Sequence, residues 1–500
     1  IAFLILFIAG INFTNLTTSL IPLRLKTINT HRVLGCSIYK LQAISLIESI
    51  VICLISYILA LFIVNDLSYT PIANWVDADI RLSQYKGLIL LTALIAILTG
   101  CLAGLYPAIR STSYAPALVL KGSFGLSPKG KKVRVALIGF QYTVSIALII
   151  VTLFMGLQNH FMTSSEQLGF NKDQVAIVNL TPEIYAKHKP QYIQKLKDYP
   201  GIEDVAFSVY ELSKEDDMID LEYARHEDKD VFFKVFYASE NFLSVMDIQV
   251  EEGRDFTRED LNKAQSDYII NPAAERDFHL HPGDRFNDRT VLGVSKDFRF
   301  NSCRIASSPF VFALNNDIPN PKLVSYIRFN SKTNLQEAVA HVRETLKEID
   351  PTFPFEISFY NTILNNLYQK EQTLGKLISL FGIMAILISI VGVFGLVLFE
   401  TQYRRKEIGI RKINGATTGQ ILLMFNKTYI RIVSVCFIIS IPIAWMGTQQ
   451  WLENFAYKTP LHLWVFIVAF LIILSVTIGT VTFRNWQAAN ENPVNSVKSE

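Results

Sequence analysis

Three stretches of this 500-residue chain, Val135–Leu157, Leu377–Phe399 and Leu461–Phe483, each run for 23 residues without an Asp, Glu, Lys or Arg. About 20 consecutive apolar residues span the hydrocarbon core of a bilayer, and a helix is the element that satisfies its own backbone there. Such blocks therefore read as transmembrane helices. Leu88–Ile109 is a fourth, Leu41–Val64 a fifth that carries Glu48, and Ile432–Trp451 a sixth, bent or broken at Pro442. Ile1–Leu16 is apolar but short for a crossing, and it lacks both a basic start and a small-residue cleavage site. It reads as the end of a helix that begins before residue 1, in an N-terminally truncated chain. The expectation is about seven transmembrane helices here and eight in the intact protein.

A net charge of +3 says little, but its placement says more. Arg24, Lys26, Arg32 and Lys40 follow the first apolar block, and Arg110, Lys121, Lys129, Lys131, Lys132 and Arg134 lie before Val135. The short loops 65–87 and 453–460 are acidic or mixed. The positive-inside rule puts the basic loops in the cytoplasm and residues 158–372 outside. The domains then read as a first-half bundle of three spans (1–134), a span (135–157), an external domain (158–372) and a second-half bundle of three spans (373–500). The external domain mixes β-rich runs (Gln174–Leu180, Val205–Val209, Val231–Tyr237, Val291–Val294, Leu323–Phe329) with helical spacing at Pro190–Lys197 and Leu335–Glu348, which reads as α+β. Asn361–Lys376 reads as one helix continuing into the 377–399 span. Only Cys303 of the five cysteines falls in this domain, so no disulfide framework exists.

The two halves repeat. Sliding by 380 residues pairs Arg24 with Arg404, Lys26 with Lys406, Ile28 with Ile408, Arg32 with Lys412 and Gly35 with Gly415. It also pairs Ile11–Leu16 with Val391–Leu396, and a shift of 377 pairs Ala115–Lys121 with Asn492–Lys498. The better copy, 404–417, has its own helical logic. Glu407 and Arg411 are four apart with the acid first, Gly415 is a stop, and Thr417–Gln420 reads as a capping box for the next helix. In the first copy Thr27–His31 replaces Glu407–Arg411 and Lys40 replaces Gln420, so that copy reads as degenerate, with its acid and much of its helix support gone. A basic loop on anionic headgroups is the plainer reading, and duplication weighs against it.

Other motifs carry less. Gly125–Lys132 nearly spells a phosphate loop, but Lys132 stands where Ser or Thr would hold magnesium, and a transmembrane block follows. It reads as a linker. His279 and His281, with Asp297 as a conceivable partner, lack a third ligand at diagnostic spacing, and no metal site is assigned. Glu48 reads as a structural partner of a nearby base rather than part of a proton path. No catalytic constellation can be singled out.

Arg405-Lys406-Glu407-Ile408-Gly409-Ile410-Arg411-Lys412 with Gly415-Ala416, Phe140–Ile146, Leu168–Gln174, Glu252–Phe256, Ile270-Asn271 and Gly293–Phe298 together resemble the FtsX-like/MacB-like permeases of ABC transporters, in their two-repeat form. The resemblance covers nearly the whole chain. It implies an α-helical membrane protein with an α+β periplasmic MacB-type core domain, in a bacterial inner membrane. It implies mechanotransmission for efflux or envelope transport rather than an enzyme, with ATP and magnesium on a partner subunit and no cofactor on this chain. The implied partners are a cytoplasmic ABC ATPase dimer and, for efflux, a periplasmic adaptor and an outer-membrane channel; no nucleic acid is implied. ATPase docking would fall on Arg404, Arg405, Lys406, Glu407, Ile408, Gly409, Ile410, Arg411, Lys412 and Gly415, and on Arg24, Lys26, Arg32 and Gly35 in the degenerate copy. A signal-transducing regulator of an envelope hydrolase, or a peptide sensor, fits the same architecture.

Overall fold

The computed structural model describes residues 2–70, 73, 81–114, 128–164, 168–213, 220–227, 229–263, 265–299, 302–314 and 323–490. The repeated segments 115–121 and 492–498, and the start of the glycine-lysine stretch at 125–127, lie outside the described residues. Two units are present: residues 1–156, 373–451 and 460–500 form one, and 157–372 with 452–459 form the other. Among the described residues seven helices are long and apolar enough to cross a membrane.

The first of them, α1 (Ala2–Val33), corrects the sequence reading of its length. Its apolar window runs over Ala2–Ile21, 20 residues rather than 16. Thr14, Thr17, Thr18 and Ser19 donate their hydroxyls to carbonyls four residues back, at 2.5 to 3.0 Å. Hydroxyls satisfied in this way let polar residues extend an apolar helix. Next come α2 (Ile38–Leu67), α3 (Lys86–Thr112) and α4 (Pro128–Thr163). Gly100 and Gly104 open a notch on α3 for α2, since a Cβ on Gly100 would stand 3.0 Å from the Ile50 Cα. Small residues four apart allow this close approach where no hydrophobic force drives helices together.

The other unit is a mixed sheet with helices. Its elements are β1 (Val175–Leu180), α5 (Lys189–Lys197), β2 (Ile202–Ser208), β3 (Asp220–His226), β4 (Lys229–Ala238), α6 (Phe242–Met246), β5 (Val250–Gly253) and β6 (Tyr268–Ile270). There follow α7 (Pro272–Phe278), β7 (Arg285–Phe286), β8 (Arg289–Ser295), β9 (Phe310–Leu314), β10 (Leu323–Phe329), α8 (Leu335–Ile349), β11 (Ile357–Phe359) and α9 (Tyr360–Leu367). The strand order is β11-β1-β10-β2-β4-β9-β6-β8-β5, with β3 on β4 and β7 on β8. Only β4–β9 and β6–β8 run parallel among the described pairs. Ala338, Val342 and Leu346, four apart on α8, and Tyr192 and Leu196 of α5 pack on Val178, Val205, Phe207 and Ile327. A second cluster sets Phe233, Val235, Tyr268 and Val311 against Ala274 and Phe278 of α7. Each such large side chain contributes about 1.5–3 kcal/mol by burial. The sequence reading missed β6 and β9 because every residue in them is buried, which erases alternation as a strand signal.

The single helix expected over Asn361–Lys376 is broken. Tyr368 leaves helical geometry (φ −108°, ψ 15°) between α9 and the next helix. Its ring is fully buried, and its hydroxyl accepts from the Cys303 amide at 3.1 Å and donates to Cys303 Sγ at 3.2 Å. That buried partner outweighs helix continuation. Segment 452–459 packs in this unit: Gln158 donates to the Tyr457 carbonyl (3.0 Å) and accepts from the Thr459 amide (2.8 Å). The Arg299 guanidinium lies 4.0 Å from the centre of the Tyr457 ring.

The remaining helices are α10 (Gln369–Tyr403), α11 (Arg405–Ile413), α12 (Thr418–Leu452) and α13 (Leu463–Asn490). Pro442, where the span was expected to bend or break, sits inside α12 without ending it. Side-chain hydrogen bonds tie these helices: Thr401 to Asn485 at 2.7 Å, Asn426 to Thr482 at 2.9 Å, and Tyr142 of α4 to Thr477 at 3.0 Å.

Candidate functional site

The second basic copy folds as a helix of its own. Arg404 breaks the chain direction (φ −94°, ψ 10°) after α10, and the nine residues of α11 follow. A helix this short does not form from propensity alone, so its local partners decide it. Arg411 donates two bonds to Glu407 Oε1, at 2.8 and 3.1 Å. Gly415 takes φ +85°, a left-handed value that glycine adopts without a Cβ clash. Its amide donates to Lys412 and that of Ala416 to Arg411, the double return bond of a Schellman stop. The capping box forms as the spacing implied: the Gln420 amide donates to Thr417 Oγ1 at 3.3 Å, and the Thr417 amide to Gln420 Oε1 at 3.1 Å.

One face of α11 is held and the other is open. Ile408 and Gly409 are buried, while Ile410 and Ile413 are 55% and 65% exposed beside the exposed Arg411. Arg404 anchors the start: it donates to Glu400 at 2.9 Å, and Glu400 also accepts from the Tyr429 hydroxyl of α12 at 3.2 Å. Sequence reasoning missed this acid, although its place four residues before Arg404 was the signal. The side chains of Lys26, Arg405 and Lys406 lie outside the described residues.

The first copy corrects the sequence reading. Its helix support is not lost, because α1 runs unbroken through it to Val33. A helix already 20 residues long needs no nucleus, so the missing acid does not decide its end. The same stop follows: Gly35 takes φ +92°, its amide donates to Arg32, and that of Cys36 to His31. Half of the next cap survives, with the Lys40 amide donating to Ser37 Oγ at 3.4 Å. The acid has moved as well. Arg24 pairs at 2.7 Å with Glu48 of α2, the structural role favoured for that glutamate. Arg32 donates to the carbonyls of Thr112 (3.1 Å) and Tyr114 (2.6 Å) at the end of α3. Val33, the equivalent of Ile413, is 63% exposed.

Elsewhere, His279 caps α7 in left-handed backbone (φ 52°) and does not join His281 and Asp297 into one site. His281 instead lies near Glu275 and Glu252, with one ligand atom from each within 4.8 Å of the others. The Glu252–Phe256 motif is structural: Arg254 donates to both oxygens of buried Asp260 at 2.7 and 2.9 Å, and Thr257 adds its amide and hydroxyl at 2.9 Å. The guanidinium, with these donors, holds the Asp260 carboxyl far below the usual carboxylate range.

Comparison with known proteins follows the same division. The family described as FtsX-like permease C-terminal matches residues 1–116 and, a second time, 379–493. The macrolide export ATP-binding/permease protein MacB of Aggregatibacter actinomycetemcomitans is 25% identical over 212 residues, 40% of this chain and 32% of that protein. MacB of Neisseria gonorrhoeae is 25% identical over 223 residues, 42% of this chain and 34% of that protein. This chain thus spans about a third of the length of these relatives. The periplasmic region of MacB from Actinobacillus actinomycetemcomitans gives a TM-score of 0.30 at 15% identity, covering 41% of this chain and 97% of that structure. The extracellular domain of the noncanonic ABC-type transporter YknZ from Gram-positive bacteria gives 0.28 at 17%, covering 37% and 99%. With the FtsX-like permease family matched in both halves, on either side of the sheet-bearing segment, and MacB among the sequence relatives, the chain is an FtsX/MacB-like permease.

Proposed function

We infer that this permease is the membrane subunit of an ATP-driven export complex in a bacterial inner membrane. A separate cytoplasmic ATPase dimer docks on α11 and on the tip of α1, and its nucleotide cycle moves the external unit. ATP and magnesium belong to that partner. The observation that carries the reading is α11 itself, a short helix closed by the Gly415 stop that presents Ile410, Ile413 and Arg411 outward. Exposed apolar residues on a rigid, charged element mark a contact surface better than a passive loop. Val33 at the equivalent place of the first half supports two contacts. The MacB relatives are named for ATP binding and permease action together, which supports a coupling of the two. Export is the reading their name suggests.

The test exchanges the surface charges while keeping the helix pair. Glu407→Lys with Arg411→Glu retains an i,i+4 ion pair but inverts its sign on the open face. The expected result is loss of ATPase co-purification, with membrane insertion and detergent behaviour unchanged. Undiminished co-purification would sink the docking assignment.

A further inference from the structure

The end of the sheet gathers three ligating side chains that sequence spacing does not announce. Glu252 lies on β5, the last strand in the sheet order, which among the described strands pairs with β8 alone. Glu275 lies on α7, and His281 in the loop that follows it. One ligand atom from each stands within 4.8 Å of the other two. His281 Nδ1 is 3.5 Å from Glu275 Oε1, beyond the usual reach of about 2.7–3.2 Å for an N–H···O bond. The separation matches instead two ligands of one tetrahedral zinc ion, which stand about 3.4 Å apart when each bond is about 2.1 Å.

Backbone contacts set all three against β8. Glu252 is in register with Val294 of that strand. His279 turns left-handed at the end of α7 (φ 52°), and the amides of His279 and Leu280 both donate to the Glu275 carbonyl. The chain thereby turns back, and His281 comes up beside Glu275. The Asp284 carboxylate accepts from the His281 amide at 2.8 Å, and Gly283 and Asp284 bond to Val291 of β8 at 2.8 and 2.9 Å. Ligands held on strands and a fixed turn keep their geometry better than ligands on a free loop. The charges also call for a cation. Among the described residues neither glutamate pairs with a Lys or Arg. Arg254 is held by Asp260, Arg276 by Asp277 and Arg285 by the Asp288 carbonyl. Two carboxylates this close repel, and a divalent ion offsets that repulsion.

We propose that Glu252, Glu275 and His281 form a zinc site, with water on the position left open to solvent. One imidazole with two carboxylates is a borderline donor set that suits a first-row divalent ion. Calcium takes about six to eight oxygens, and magnesium keeps an octahedron of oxygens, so an imidazole serves neither. Glu252 and His281 are exposed, and both side chains can close on an ion without repacking the core. Bound zinc ties the edge strand β5 to α7, and its binding energy adds to the stability of the fold. The site lies wholly in the sheet-bearing unit, so it stands or falls apart from the docking assignment on α11.

The test titrates zinc by calorimetry into the purified full-length protein, freed of any affinity tag. One ion per chain should bind, and calcium or magnesium in equal amount should not displace it. Glu252→Gln, Glu275→Gln and His281→Ala should each weaken binding by more than about 100-fold, the upper end of what losing an outer-shell partner costs. Cobalt(II) in the same site should give weak visible bands without thiolate charge transfer, which separates the site from the five free cysteines. Zinc should also slow hydrogen exchange at residues 250–253 in the parent chain but not in His281→Ala, whose unfolding temperature without zinc should match the parent. No binding, displacement by calcium, thiolate absorption, or binding that all three substitutions leave unchanged (an adventitious ion only) would overturn the proposal.

Discussion

The two basic elements of this permease have similar sequences and the same stop, yet they are built by different means. The one at 404–415 is a separate helix of nine residues, and it carries an internal ion pair with a reciprocal cap just beyond it. The one at 24–35 is the last turns of a 32-residue helix, and its bases are spent on other helices, Arg24 on Glu48 and Arg32 on the end of α3. A free-standing short helix must bring its own stabilisers, whereas a continuing one inherits its nucleus. Degeneracy in sequence is therefore not degeneracy in structure. Loss of the acid at position 27 became tolerable because α1 does not break where α10 does.

Measurement can test that contrast, first with a change in the other unit. Asp260→Ala removes the buried acceptor of Arg254 and Thr257 and should cost the sheet-bearing unit about 3–5 kcal/mol. Thermal unfolding would read this, and co-purification of the ATPase at a permissive temperature should survive if docking depends on the basic elements alone. The same carboxyl gives a pH dependence. Its folded value is depressed, so its contribution is complete above the unfolded carboxylate value of about 3.9 and is lost as pH falls below it. Unfolding midpoints that do not respond to pH below 4, once compared with Asp260→Ala, would contradict the Arg254 account.

A smaller effect compares the two anchors. Glu400 and Arg404 are 15% and 26% exposed, while Glu48 and Arg24 are 43% and 47% exposed. Glu400→Gln should therefore cost about 1.5–3 kcal/mol, and Glu48→Gln no more than about 1 kcal/mol. Equal losses in a detergent unfolding assay would mean that the second element is no more dependent on its anchor than the first. Smallest is the cap. Gln420→Lys copies the first half into the second and should cost about 0.5–1 kcal/mol, with Lys40→Gln gaining a similar amount. Hydrogen exchange at the first turns of α12 and α2 would resolve the two, and a gain from Gln420→Lys would refute the reciprocal bond.

Much of the molecule was legible in residues alone, because the signals were local. Charge-free runs such as 377–399 leave few options besides a spanning helix, and Thr417 with Gln420 is a cap whatever surrounds it. Gly415 and Gly35 mark stops because only glycine takes a left-handed turn without strain. Strands such as Leu323–Phe329 were found through their β-branched and aromatic content, while Tyr268–Ile270 and Phe310–Leu314 were not. Burial on both faces makes such strands look like any apolar run.

The apolar helices and the caps around α11 follow from residues within a few turns of one another, and the repeat with its offset of 380 is read by comparing the two halves of the sequence directly. The tertiary structure alone decided which acid answers which base and why the helix breaks at Tyr368. Those outcomes depend on residues distant in sequence competing for one buried partner, and no local pattern encodes who wins.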